Sequence, residues 1–336
     1  MPLQVKRVAA VVFLNAIALA SAAAEVRAAG EKTLRWKFTK GEKAQYQMTQ
    51  EMVMVMSVAG QKIQTKMTQV IDANWFVESV DDDGTAEMTQ TMERVRMKMG
   101  GAPGADIDYD SDAAEPPKGL VADMIVPVFK AMVKKPFQMK MSARGQVTDV
   151  KPPEGMVEAL KAPALAQMGD MFSDENLKQM MGGSGLVFPV EPVKEGTAWQ
   201  ETMELKNAVI GTSKITKDYT YLGEEERDGR PLEKIDAKVE TKFGGQENAQ
   251  AKVEITDQES EGTLLFDDQA GRLVDAKVTT KMKMKVTAMG MEILQDITTT
   301  VTNTWVPPGK TPSSEEPKAK TPKNAAPKVK TPVKKK

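Results

Sequence analysis

Over long stretches of this chain apolar residues recur at every second position, and that alternation restricts those stretches to half-buried β-strands. Met52, Met54 and Met56 share one face, and Ile63, Met67 and Ile71 share another after a turn at Ala59-Gly60-Gln61. Near the other end Met282, Met284 and Val286 alternate with Lys281, Lys283 and Lys285, and a turn at Met289-Gly290-Met291 leads to Ile293, Ile297, Val301 and Trp305. One apolar and one charged face suit an antiparallel strand with one side in water.

The two hairpins superpose without a gap at an offset of 230: Met54 falls on Met284, Gly60 on Gly290, Ile63 on Ile293, Ile71 on Val301 and Trp75 on Trp305. A second, tandem correspondence relates Gly41 to Tyr46 with Gly196 to Trp199, Asp83-Gly84 with Asp228-Gly229, and Arg144-Gly145-Gln146-Val147 with Ala270-Gly271-Arg272-Leu273. Repeated construction follows from both. Between the halves the period changes. Leu120, Val121, Met124, Ile125, Val128, Phe129, Met132 and Val133 make the stripe of an amphipathic helix, which Pro127 should kink or delay. Residues 154–161 and 164–171 also read as helical, and Ser173 reads as a cap before Leu177 to Met181, which Gly182-Gly183 should end.

The expected class is therefore α+β, mainly antiparallel β, with two related β halves forming a curved sheet or half-barrel around a central helical insert. The expected divisions are a signal peptide at 1–24, a first β half at 25–115, a helical insert at 116–183 with a strand near 137–150, a second β half at 184–305, and a disordered Lys/Pro-rich tail at 306–336.

Both ends bear on location. Lys6 and Arg7 precede an apolar run from Val8 to Ala20, and Ala20-Ser21-Ala22 and Ala22-Ala23-Ala24 both fit a signal-cleavage pattern, so a mature start near Ala23 or Glu25 and a periplasmic or extracellular location are expected. Lys+Arg 46 nearly balances Asp+Glu 47, but nine lysines fall within 306–336 against Glu315 and Glu316. An acidic body thus carries a basic tail, able to contact an anionic surface or simply to solubilise. Without arginine forks or aromatic rings, that tail offers no sequence-specific nucleic-acid readout.

Leu34-Arg35-Trp36-Lys37-Phe38 with Gly41, the Asp83-Gly84 turn, Asp108-Tyr109-Asp110-Ser111, Gly145 to Val147, and Phe188-Pro189-Val190 with Gly196 and Trp199 follow one another in an order that resembles a poorly characterised family of exported bacterial proteins, known mainly as a domain of unknown function. The resemblance covers most of residues 33–305 and implies architecture, with no catalytic residue to carry over. At the level of fold such sheets also look like lipoprotein-carrier half-barrels, which bind acyl chains.

The chain has no Cys and no His, so thiolate chemistry, disulfides and imidazole catalysis are excluded. The best metal candidate is a Ca²⁺ site at Asp106, Asp108, Asp110 and Asp112 with Glu115, yet an EF-hand would need Gly at its sixth position and Glu at its twelfth, where Pro117 stands. These carboxylates read instead as a solvated strand end. Asp81-Asp82-Asp83-Gly84 and Glu224-Glu225-Glu226 read as exposed hairpin ends. Gly182-Gly183-Ser184-Gly185 departs from a nucleophile elbow at Leu186. No catalytic, cofactor or metal residue is assigned.

With 24 Met and only 5% aromatic residues, methionine supplies either core bulk or the wall of an apolar site. The favoured reading is a non-enzymatic envelope protein that binds an apolar or lipid-like ligand beneath the helices of 119–181, with Leu120, Met124, Ile125, Phe129 and Met132 in the wall. A structural or wall-polymer interaction module would show a filled core and an exposed edge or patch. A carboxylate hydrolase would show two carboxylates converging in a cleft, one with a raised pKa.

Overall fold

The computed structural model describes residues 30–58, 60–104, 106–153, 155–156, 173–207, 211–244, 251–288 and 290–312. The signal-like segment, most of the Lys/Pro-rich tail and, apart from residues 155–156, the helices expected at 154–161 and 164–171 lie outside the described residues. The strands are β1 (Lys43–Val58), β2 (Gln61–Val80), β3 (Ala86–Gly100), β4 (Ile107–Asp110), β5 (Pro136–Met141), β6 (Val147–Lys151), β7 (Ala198–Asn207), β8 (Gly211–Arg227), β9 (Arg230–Gly244), β10 (Ala251–Asp267), β11 (Arg272–Ala288) and β12 (Met291–Val306). They form one curved, open, antiparallel sheet in the order β6-β5-β3-β2-β1-β12-β11-β10-β9-β8-β7, with β4 on β3.

Each half is a meander, and the two join where β1 pairs with β12 from Gln45↔Val306 to Val58↔Ile293. The repeat seen in sequence is a shift of two strand positions: β2-β1 maps onto β12-β11, with Gly60 (φ 83°) and Gly290 (φ 76°) at equivalent left-handed turns. Such φ values favour glycine. Near 137–150 the chain makes a hairpin, β5–β6, rather than one strand, because Ser142 to Gln146 turn it back, Gly145 N–H donating to Ser142 O at 2.8 Å.

Helix α1 (Leu120–Met132) starts at Leu120 and runs through Pro127, so its start is not delayed. Burial of Ala122 and Val126 against Val95, Met97, Ile107 and Tyr109 outweighs the one hydrogen bond that proline removes. Helix α2 (Asp174–Ser184) has the expected cap, Ser173 Oγ accepting from Asn176 N–H, but it continues through Gly182-Gly183 to Ser184. Glycine costs a helix only about 1 kcal/mol per residue, and here Gly182 faces Val147 of β6.

The main core lies at the base of the sheet, where two irregular segments, 34–38 and 186–193, pack against its inner face. Trp36 Nε1 donates to Leu186 O at 2.9 Å and Trp199 Nε1 to Val187 O at 2.8 Å. Arg144 and Phe188 exchange bonds, Phe188 N–H to Arg144 O at 2.8 Å and Arg144 Nε to Phe188 O at 2.7 Å. Phe266 meets Phe188 and Trp36 edge-on, with ring centroids 4.7 and 5.5 Å apart. Buried Glu233 accepts from Tyr221 Oη and from Lys32 Nζ, the latter at 2.8 Å, tying the first described residues to β8 and β9.

Gly145 (φ 95°) is the tightest point of this packing: a Cβ there would stand 2.2 Å from Leu186 O and 2.6 Å from Trp36 Nε1. Gly229 (φ 72°) has the same handedness but open space around it. In urea unfolding, Gly145→Ala should cost about 3 kcal/mol or more and Gly229→Ala about 1 kcal/mol. Equal losses would contradict the packing described.

Candidate functional site

Pairing registers decide which side chains share the inner face. Across the middle of the sheet Met54 lies opposite Ile297, Ile297 opposite Met282, and Met282 opposite Gln258. In the next row toward the hairpin tips, Met56, Gln295, Met284 and Ile255 align, and beyond them Val58, Ile293, Val286 and Val253. Met52 and Met67 extend the surface toward β2. These apolar side chains on β1, β2 and β10 to β12 are half-exposed. Apart from Met67, none belongs to the three core clusters of the described residues. A contiguous apolar surface of this kind marks an interaction site in a protein that stays in water.

The opposite face of the same strands is built for solvent. Lys283 pairs with Asp257 at 2.8 Å, Lys285 with Glu292 at 3.1 Å and Lys281 with Glu259 at 3.3 Å, while Thr279 and Thr300 hydroxyls meet at 3.0 Å. Period 2 thus sends Lys281, Lys283 and Lys285, the charged neighbours of Met282 and Met284 along β11, to the other side.

Helix α2 bridges the two edges of the sheet. Asn176 acts as a surrogate strand for β7, its Nδ2 donating to Lys206 O at 2.8 Å and its Oδ1 accepting from Lys206 N–H at 3.1 Å. Between α2, β6, β7 and β8 lies a cavity of 190 Å³ lined by Lys178, Gln179, Val147, Met203, Glu201 and Lys217, among others. Glu201 and Lys217 are directly opposite on β7 and β8. Burial pulls the Lys217 ammonium down to about 8, Glu201 opposing the fall, and burial likewise raises the Glu201 carboxyl against the pull of Arg144 and Lys217. Glu201 is the only carboxylate among the residues lining this cavity.

Beside it the β9–β10 ladder is short, running from Glu233↔Phe266 to Asp236↔Thr263. Further along, Ser260 Oγ accepts from Val239 N–H and Gln258 Oε1 from Thr241 N–H, both at 3.0 Å, so side chains span the seam.

The residues singled out in the sequence are placed as follows. Ile125 and Phe129 pack against the cluster of Val95, Met97, Ile107 and Tyr109, with Phe129 stacked on Tyr109 at 5.3 Å. Met132 packs with Phe137, Met156 and Leu177. Met124 is exposed, and nothing is described of the Leu120 side chain. The acidic run is taken up by local partners: Arg94 Nε donates to Asp110 at 3.0 Å and lies 3.7 Å from Asp112, which also pairs with Lys134 at 2.8 Å; Asp108 pairs with Lys98 at 3.5 Å, and Asp106 accepts from the Gly101 backbone N–H at 3.3 Å. Among the described residues no three such groups converge on a point that could hold a metal ion.

The fold and its inner face define a half-barrel-like open sheet with an apolar concave side. The chain belongs to a family of unknown function, DUF6263, whose family model matches residues 83–306. No relative was found among curated proteins. Among solved structures, the chain is similar to lipovitellin, in a structure concerned with its lipid-protein interactions, at 12% identity and a TM-score of 0.41, covering 83% of this chain and 26% of that one. The chain therefore spans about a quarter of lipovitellin's length. It is also similar to the hypothetical lipoprotein YmcC from Escherichia coli (K12), at 8% identity and a TM-score of 0.18, covering 74% of this chain and 85% of that one. No helix among the described residues is long and apolar enough to cross a membrane.

A depressed lysine has a signed consequence. Lys217 titrates near 8 in the folded chain and near 10.5 when unfolded, so between those values the unfolded chain binds more protons and stability rises with pH. Lys217→Met should flatten that rise by about 2 kcal/mol. By NMR of methylated lysines, one resonance should titrate near 8 and vanish in the variant; a wild-type set titrating wholly near 10.5 would contradict the burial.

Proposed function

We propose that this protein is an exported, non-enzymatic carrier that holds an apolar, chain-like ligand along the inner face of β1, β2 and β10 to β12. The observation that carries this reading is the row-by-row alignment of Met52, Met54, Met56, Met282 and Met284 with Ile293 and Ile297 on one half-exposed face. Unbranched, polarisable methionine side chains adapt to ligands of varied shape, and their thioethers cost little to desolvate. In the cavity under α2, Glu201 faces Lys217 instead of a second acid.

Export rests on the Lys6-Arg7 start, the Val8 to Ala20 apolar run and the small residues after it. The lysines of 310–336 support a loose electrostatic hold on an anionic surface, which would keep the carrier near the source of its ligand.

Binding of the fluorescent apolar probe N-phenyl-1-naphthylamine tests the reading. Met284→Glu and Ile297→Glu should each weaken binding about tenfold or more, since each sets a charge in the path of the ligand. Lys283→Glu, one residue away on the solvated face, should leave it unchanged. Equal effects from all three would remove the inner face as the site.

A further inference from the structure

Above the base of the sheet, among the described strand residues, the inner face carries acidic or basic side chains in one row only, Glu201 on β7 and Lys217 on β8. The same row continues through Val239, Ser260, Thr280 and Thr299 to Met52. The charged pair therefore stands at one border of the methionine surface and on its side of the sheet. Three strand spacings, about 15 Å, separate β8 from β11, a span within reach of an acyl chain of a dozen carbons.

The pair opens into the 190 Å³ cavity, where Lys178, Gln146, Gln179 and Thr202 add polar groups and Met203 and Ile215 continue the apolar wall. At about 30 Å³ per water, that space holds roughly six waters or one small anionic group. The pair is not required to hold the edges together, because Asn176 already fixes α2 to β7 through Lys206. Two opposite charges held half out of water are also a costly way to fill space that apolar residues would fill without desolvation. Arg144 approaches Glu201 at 3.9 Å, so the carboxylate keeps a cation when Lys217 turns to an incoming anion.

We propose that this cavity seats the anionic head group of an acyl ligand whose chain lies on the methionine surface, with Lys217 as the cation that receives it. The inference rests on the carrier reading above and names its ligand class: an amphiphile with an apolar chain and a carboxylate or phosphate end. Glu201 competes with that head group, and so sets how readily the ligand leaves.

Calorimetric titration of the full chain with dodecanoate, dodecan-1-ol and acetate separates the possibilities. Dodecanoate should bind about tenfold or more tightly than dodecan-1-ol. Lys217→Met should erase that difference while leaving the alcohol's affinity unchanged, and Glu201→Gln should tighten dodecanoate alone; near-UV circular dichroism checks that both variants fold. Equal binding of acid and alcohol, indifferent to Lys217→Met, would overturn the head-group site and leave the carrier reading standing. Acetate binding as tightly as dodecanoate would overturn the link between cavity and apolar surface. No binding of either long-chain compound would overturn the carrier reading, and this inference with it.

Discussion

Trp36 holds the molecule together by a single geometry: its ring packs among the base strands while its indole N–H reaches Leu186 O, 150 residues away. Around it the segments 34–38 and 186–193 press on both halves of the sheet at once, near Met88 and Met139 of one and Ile235 and Phe266 of the other. This covering is concentrated at the base. The long hairpins that rise from it carry the same alternating pattern with no described core cluster upon them, apart from the patch beside β3 and β4 that α1 occupies. The division between a closed base and an exposed apolar upper surface is the feature on which the proposed carrier role rests.

Methionine suits both roles. In the base Met88, Met139 and Met141 are buried core, where an unbranched side chain fills irregular gaps. Higher up, the same residue type at Met54, Met56, Met282 and Met284 is half-exposed. Composition does not distinguish the two uses, since both need flexible apolar bulk. Position relative to the two irregular segments does.

This explains what could be read from residues alone. The strands around Gly60 and Gly290 were legible because period 2 and a turn glycine act locally, and the offset of 230 between them revealed the repeat. The sequence could not reveal that β1 lies beside β12, which is what merges two methionine stripes into one surface. The helical stripe from Val121 to Val133 was equally visible, but a stripe says only that a face is covered, and Ile125 and Phe129 cover β3 and β4. Lys217 and Glu201 carried no local signal: each is one charge in an alternating strand, and only the register of β7 on β8, with α2 above, sets them together on the inner face. Gly182-Gly183 misled about the end of α2 because helix-ending glycine is a preference of about 1 kcal/mol, small against the packing of α2 on β6 and β7.

The most direct test of the proposed carrier role is photolabelling with a dodecanoic acid that carries a diazirine at mid-chain, followed by peptide mapping of the adducts. The account predicts adducts concentrated on inner-face residues of β1, β10, β11 and β12, around Met54, Met282 and Met284, and lost when excess unlabelled dodecanoate is present. Adducts spread evenly over the lysine-rich outer face, or unaffected by competitor, would contradict it.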